Sequence, residues 1–287
     1  MPYPEKVFLN GEIIESKNAT VSVFDRGFLF GDGIYEVLVR INGHFFYGDA
    51  HLERLSNSLK KINLSFDTSP LKQQINQLLA ASDLLDQDSL IYIQVTRGVA
   101  PRKHAFPADI PPTVMMYANP ITLPGINANH LKALTINDYR WTKCDIKMTS
   151  LLGNVMANDH AAKNNAYEAV FVREGRITEA SHCNVFFVKD DEVYTHPADE
   201  FILDGITRQI TLELCKKNGI KVREEAIPHA SVTTMDEAFL TGTTTQIASI
   251  KTLDNHVFYQ GDDHPPVTAK LQKAFDQLKK ESYQLLV

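Results

Sequence analysis

The chain has 287 residues, 44% hydrophobic and 22% charged, with a formal net charge of -6. This is the mix of a soluble globular protein with a substantial core, in two domains or one large one. It excludes a basic nucleic-acid footprint, and apolar runs such as Leu90-Ile91-Tyr92-Ile93 are far too short to span a bilayer.

The start, Met1-Pro2-Tyr3-Pro4-Glu5-Lys6, lacks the basic region and apolar run of a signal peptide. Val7-Phe8-Leu9 and Glu12-Ile13-Ile14 flank Asn10-Gly11, a pair that tolerates the positive φ angles of a type I′ hairpin turn. Val37 to Ile41, Asn42-Gly43 and His44 to Tyr47 repeat the device, so an antiparallel sheet opens the chain. Between them Gly31-Asp32-Gly33-Ile34-Tyr35-Glu36 is not a dinucleotide fingerprint. Glu36 replaces the third glycine and a hairpin follows instead of a crossover helix. Its glycines are expected to let backbone and Tyr35 approach a ligand closely. Asp49 reads as a helix N-cap, with Leu52, Leu55, Leu59 and Ile62 as the buried stripe. Arg54 falls off that stripe, and helix geometry alone makes it solvated.

A second helix is expected from Ser69 to Ala81, then a strand from Leu90 to Thr96. In the loop Arg97 to Pro107, stiffened by two prolines, Arg102 and His104 are two apart. In extended backbone they share a side and can converge on one anion; the alternative is a basic surface loop. Strand Thr113 to Tyr117 closes a first domain, residues 1–118, and the turn formers Asn119 to Gly125 mark a linker, residues 119–128. The second domain, residues 129–287, opens with a strand from Leu131 to Ile136. Helices follow at Leu151–Asn165, at Gly205-Ile206-Thr207 onward to Lys217, and at Thr268–Tyr283. Strands are expected at Glu168–Val172, Asn184–Val188, Glu192–Thr195, Val222–Ala226 and Glu237–Leu240. The cysteines, Cys144, Cys183 and Cys215, are odd in number and widely spaced, without a disulfide framework or zinc spacing. They point to a reducing, cytoplasmic setting, with no metal site expected.

Lys147 sits at an element boundary, where a side chain can reach a cleft from a rigid base; by spacing alone it is one more surface lysine. Glu179, in Arg176-Ile177-Thr178-Glu179-Ala180-Ser181-His182-Cys183-Asn184-Val185-Phe186, reads unaided as a solvated turn residue. Together these two stretches resemble the fold-type IV pyridoxal-phosphate enzymes of the branched-chain aminotransferase type, and the D-amino-acid aminotransferases in particular. The resemblance runs over nearly the whole chain. It implies an α/β (α+β) fold with a small antiparallel-sheet N-terminal domain and a larger mixed-sheet, pseudo-barrel C-terminal domain that binds pyridoxal 5'-phosphate.

The same resemblance assigns roles. Lys147 carries the Schiff base. A lysine stripped of water loses part of its preference for the charged form and becomes a nucleophile and base. Glu179 faces the pyridine nitrogen and keeps it protonated. The phosphate cup falls to Ile206 and Thr207 at a helix start, Thr243 and Thr244 in a Thr-rich turn, and Arg54, whose fork would bind phosphate bidentately. Tyr35, Arg102 and His104 match the substrate-carboxylate trap, whose loop reaches the neighbouring subunit's site in that family, implying a homodimer. Ala180, His182 and Gly242 stand where relatives often have Gly or Ser, and Met148 where a small polar residue is expected. These departures bear on pocket polarity. The implied activity is transamination between a D-amino acid of the D-alanine or D-glutamate class and a 2-oxo acid such as 2-oxoglutarate or pyruvate. The alternatives are a 4-amino-4-deoxychorismate lyase and an L-branched-chain aminotransferase.

Overall fold

The computed structural model describes residues 3–126, 130–261 and 263–284, with 282–284 described by backbone alone. Met1-Pro2 and the linker positions 127–128 lie outside the described residues. The chain divides into two compact units: Met1–Thr122 with Ile146–Ser150, and Leu123–Asp145 with Leu151–Val287.

The first unit contains β1 (Lys6–Leu9), β2 (Glu12–Glu15), α1 (Arg26–Phe30), β3 (Gly33–Ile41), β4 (His44–Phe45), α2 (Gly48–Lys61), α3 (Leu71–Ala81), β5 (Ser89–Thr96) and β6 (Thr113–Pro120). Its six strands run in the order β2-β1-β6-β5-β3-β4, every pair antiparallel. Both Asn-Gly turns form as expected, with φ of 50° and 100° at Asn10 and Gly11 and 49° and 83° at Asn42 and Gly43. The α2 stripe is buried: Leu55 and Leu59 are at most 1% exposed and share a core with Leu71, Ile75, Leu78, Ile91 and Ile93. Truncating any one of these leucines to alanine costs about 2–5 kcal/mol.

Asp49 is not the cap of α2. The helix starts two residues earlier, at Gly48 after Tyr47 in the left-handed region, because Gly48 has no Cβ to strike Phe45. Asp49 sits in the first turn, where its charge complements the helix dipole, and it pairs with Lys72. Strand β6 extends through Pro120, into what the sequence suggested as linker.

The second unit holds β7 (His130–Asn137), α4 (Leu152–Lys163), β8 (Glu168–Arg173), β9 (Arg176–Ala180), β10 (Asn184–Lys189), β11 (Glu192–Thr195), α5 (Ile206–Lys217), β12 (Val222–Glu224), β13 (Glu237–Gly242), β14 (Gln246–Leu253), β15 (His256–Val257) and α6 (Pro266–Gln284). The strands form one curled mixed sheet, ordered β12-β11-β10-β13-β14-β7-β8-β9 with β15 on β14. The pairs β7·β8, β7·β14 and β11·β12 are parallel. Besides the two-residue β15, two strands were not anticipated. β9 is short, and β14 carries Gln246, Ser249 and Lys251 among its apolar residues, which blurs any alternation. Tertiary pairing makes both of them: β14 lies between β13 and β7. β12 ends at Glu224, two residues short of the expected strand.

Candidate active site

Lys147 lies on a strap that packs with the first unit, although the chain around it belongs to the second. The sequence had counted it in the second domain. Ile146 and Met148 anchor the strap in the first unit's core, each no more than 8% exposed. This explains an apolar Met148 in place of a small polar residue. The backbone is tied on both sides of Lys147: Tyr35 N donates to Lys147 O at 3.0 Å, and Thr149 N to Gly33 O at 3.0 Å. Gly31 and Gly33 serve this contact. A Cβ on Gly31 would strike Ser150 Oγ, and one on Gly33 would stand 3.3 Å from Thr149 Oγ1. Gly31 therefore admits the protein's own strap, while a Cβ on Gly33 would first meet β5 at Val95 O, 3.1 Å away. The half-buried Lys147 places Nζ 3.4 Å from Tyr35 Oη and 4.4 Å from the centre of its ring. Tyr35 is held by stacking on Tyr92, which stacks in turn on Tyr117.

Arg54 is not solvated. It faces Glu36, which is fully buried at the next strand position after Tyr35. Arg54 Nε and Nη2 donate to the two carboxylate oxygens at 2.9 and 2.7 Å, and His51 Nδ1 lies 3.0 Å from Oε1. Helix geometry mispredicted Arg54 because the buried partner comes from another element. The Nε/Nη2 edge of the fork that was assigned to phosphate is engaged by Glu36. Arg102 and His104 are exposed and flank one ring: the Arg102 guanidinium stands 5.0 Å from the Phe30 ring centre and the His104 ring 5.7 Å from it.

In the second unit Glu179 is buried in β9, not solvated in a turn. It accepts from Arg140 Nη1 at 2.6 Å, from Leu203 N at 3.0 Å and from Asn184 Nδ2 at 3.3 Å. Burial pushes its carboxyl up to about 7, against the pull of Arg140. Asp138 also engages Arg140, through Nε and Nη2 at 3.0 Å each. Sequence reasoning missed Arg140 and Asp138, as it missed Glu36 and His51. Glu36 and His51 pair across 15 residues and Arg140 with Glu179 across 39, so nothing local marks these contacts; Asp138 and Arg140 are two apart, but their burial comes from the fold.

Ile206 and Thr207 open α5 behind Gly205, and no side chain caps those first amides. Gly205 is required: a Cβ there would collide with Asn184 Oδ1. Thr243 and Thr244 form the half-buried turn between β13 and β14. An uncapped twelve-residue helix start and a threonine turn each fit an anion. His182 has a specific partner: its Nδ1 lies 2.7 Å from the buried Glu168. Glu168, His182 and Cys183 present ligand-type atoms within 4.8 Å of one another. Glu168, however, already accepts from Ala169 N, Ser181 N and Oγ, and His182 N, and so brackets this turn. All three cysteines are free and buried. Among the described residues no helix is long and apolar enough to cross a membrane.

Comparison with known proteins gives the family and the fold. The family model described as amino-transferase class IV matches residues 33–253. A D-alanine aminotransferase of Bacillus licheniformis is 39% identical over 272 residues, covering 94% of this chain and 95% of the relative. The Escherichia coli branched-chain amino acid aminotransferase shares the fold with a TM-score of 0.86, at 24% identity, covering 96% of this chain and 95% of the other. A T.th. branched-chain amino acid aminotransferase, solved with N-(5'-phosphopyridoxyl)-L-glutamate, shares it at 0.87 and 20% identity, over 99% and 98% of the two chains. The chain thus belongs to the class IV aminotransferases.

Proposed function

We propose that this aminotransferase moves the amino group between a D-amino acid of the D-alanine or D-glutamate class and a 2-oxo acid such as 2-oxoglutarate or pyruvate. We also propose that it works as a cytoplasmic homodimer with pyridoxal 5'-phosphate. The observation that carries the substrate class is the 39% identity to a D-alanine aminotransferase over 94% of the chain. Likeness to the branched-chain enzymes at 20–24% identity concerns the fold alone.

The residues fit the cofactor. Lys147 offers a half-buried amine on a strap tied on both sides. Glu179 offers a buried carboxyl poised near 7, suited to share a proton with the pyridine nitrogen. The α5 amides at Ile206 and Thr207 and the turn of Thr243 and Thr244 would supply donors to the phosphate, and the family resemblance adds Arg54, whose charge Glu36 already balances. When bound, the cofactor supplies an electron sink for the bonding pair released at the substrate Cα. Lys147 would hold it and move the proton at Cα, with Tyr35, 3.4 Å from Nζ, orienting that amine.

Handedness follows from placement. With the substrate nitrogen fixed and the Cα hydrogen aimed at Lys147, carboxylate and side chain share the two remaining positions. Exchanging them inverts Cα, so the side holding the anion trap decides D or L. Arg102 and His104 are assigned to that trap, each charged contact contributing about 1.5–3 kcal/mol. The test is borohydride reduction of the holoenzyme with peptide mapping, together with turnover on a panel of D- and L-amino acids. The expected adduct is on Lys147, and Lys147→Ala abolishes transamination in a folded protein. An adduct on another lysine, or faster turnover with L-leucine than with any D-amino acid, overturns the reading.

A further inference from the structure

The loop between β5 and β6 has no regular structure across Arg97–Pro107, yet it bears both residues assigned to the carboxylate trap. What holds it comes from beneath. Asp32, just before β3, accepts on one oxygen from two buried arginines: Arg26 Nε at 2.7 Å and Arg97 Nε at 2.8 Å. The three side chains are 3–9% exposed. One carboxylate fixes the inner edge of both forks and leaves their outer nitrogens aimed at backbone. Arg26 Nη1 donates to Lys103 O at 2.6 Å and Nη2 to His104 O at 3.5 Å, so it grips the peptides on either side of His104. Arg97 Nη2 and Nη1 donate to Ile62 O at 2.7 Å and Asn63 O at 3.1 Å, and its guanidinium lies 3.6 Å from the Phe106 ring centre.

The base of this assembly is itself fixed. Asp25 caps α1 by accepting from Gly27 N at 2.7 Å and is held by Thr96 and Thr113 hydroxyls at 3.0 and 2.6 Å. Gly98, at φ +98°, brings its carbonyl to Arg26 N at 2.9 Å, and a Cβ there would collide with Pro111 O. Phe30, on the same short helix, lies 4.6 Å from the Arg26 guanidinium and is the ring that Arg102 and His104 flank.

We propose that Arg26 and Arg97, pinned by Asp32, are positioning residues that set the geometry of Arg102 and His104 for the substrate carboxylate, without touching substrate. The proposal rests on the reading of Arg102 and His104 as that trap. Asp32 alone faces two buried guanidinium groups, since the neighbouring buried carboxylate, Asp25, is taken by Gly27 N and the Thr96 and Thr113 hydroxyls. The second set of donors is accounted for by the carbonyls, because a buried cation requires acceptors around it. Lysine in place of Arg26 keeps the charge beside Asp32 but cannot span the carboxylate and two carbonyls, since a compact ammonium lacks the planar fork.

The test compares holoenzymes carrying Arg26→Lys, Phe106→Ala and Arg102→Leu with the native protein. Steady-state kinetics use D-alanine and pyruvate, and amide hydrogen exchange is followed across residues 98–107. Arg26→Lys is expected to raise KM for both substrates about tenfold, in keeping with loss of a charge-assisted hydrogen bond, and to hold kcat within about twofold. Exchange at the trap amides speeds up in parallel. Phe106→Ala, at an exposed ring and so safe for folding, raises both KM values about threefold, roughly one lost ring contact to Arg97. If Arg102→Leu raises KM while Arg26→Lys and Phe106→Ala leave KM and exchange unchanged, the inference fails and the trap reading survives. If Arg102→Leu itself leaves KM unchanged, the trap reading fails and takes the inference with it. A fall in kcat alone in Arg26→Lys marks a merely structural arginine and also overturns the proposal. Should Arg26→Lys not fold, Phe106→Ala decides by the same KM criterion.

Discussion

Two carboxylates in this protein, Glu36 of the first unit and Glu179 of the second, are both buried and both face an arginine, yet they are tuned in opposite directions. Burial opposes the charge of Glu36, but Arg54 and His51 outweigh it and hold the carboxyl well below the usual range. Burial raises Glu179 to about 7, and Arg140 only partly reverses it. The difference lies in how the arginine is shared. Arg54 gives two nitrogens to Glu36, whereas Arg140 gives one to Glu179 and two to Asp138, itself a second negative charge. A buried ion pair is thus no guide to protonation until the competitors for its cation are counted. One carboxylate is a permanent anion that holds Arg54. The other is set where a proton can be exchanged.

The strongest way to break this comparison is Glu36→Ala. It leaves Arg54 and His51 buried without their anion and is expected to cost about 3–5 kcal/mol in urea unfolding, as for other broken buried pairs. A loss under about 1 kcal/mol would mean that Glu36 is no anchor.

Glu179→Gln probes the other side. If Glu179 faces the pyridine nitrogen as proposed, a neutral amide in its place cannot hold a proton there, and single-turnover deprotonation of D-alanine slows by about a hundredfold while cofactor binding weakens less. Wild-type deprotonation would make Glu179 structural. The same substitution tests the tuning. A carboxyl whose folded pKa lies above its unfolded value binds more protons when folded. Its share of stability is therefore full below pH 4.5 and is lost as pH rises to about 7, a swing of at most about 3 kcal/mol. In the cofactor-free protein that loss of stability with rising pH should flatten in Glu179→Gln.

Asp138→Asn sharpens the comparison further. With the competing acid gone, Glu179 draws Arg140 to itself and its proton affinity drops about tenfold, near 1.4 kcal/mol. The pH window of the stability loss should move down accordingly. The smallest effect belongs to Asp49→Ala in the first turn of α2, expected within about 0.3–1 kcal/mol because its pairing with Lys72 is exposed.

How much of this was legible varied with the range of the forces involved. Both Asn-Gly hairpins and the Leu52, Leu55, Leu59 stripe could be read because turn chemistry and helical period are local properties. The stretches around Lys147 and Glu179 carried the family, since their spacing survives without knowledge of the fold. Arg54 and Glu179, both read as solvated from local geometry, are respectively half-buried and buried because partners 18 residues away for Arg54 and 39 for Glu179 pair with them.

The sequence by itself determined the hairpins, the helical stripes and the class of chemistry open to Lys147. Only the tertiary structure decided that the Lys147 strap packs in the first unit, that β14 lies between β13 and β7, and that one buried carboxylate is charged while the other is poised near 7. The reason is physical. Backbone propensity acts over one or two turns of chain, whereas desolvation and ion pairing depend on which distant residues share a few ångströms of low-dielectric interior.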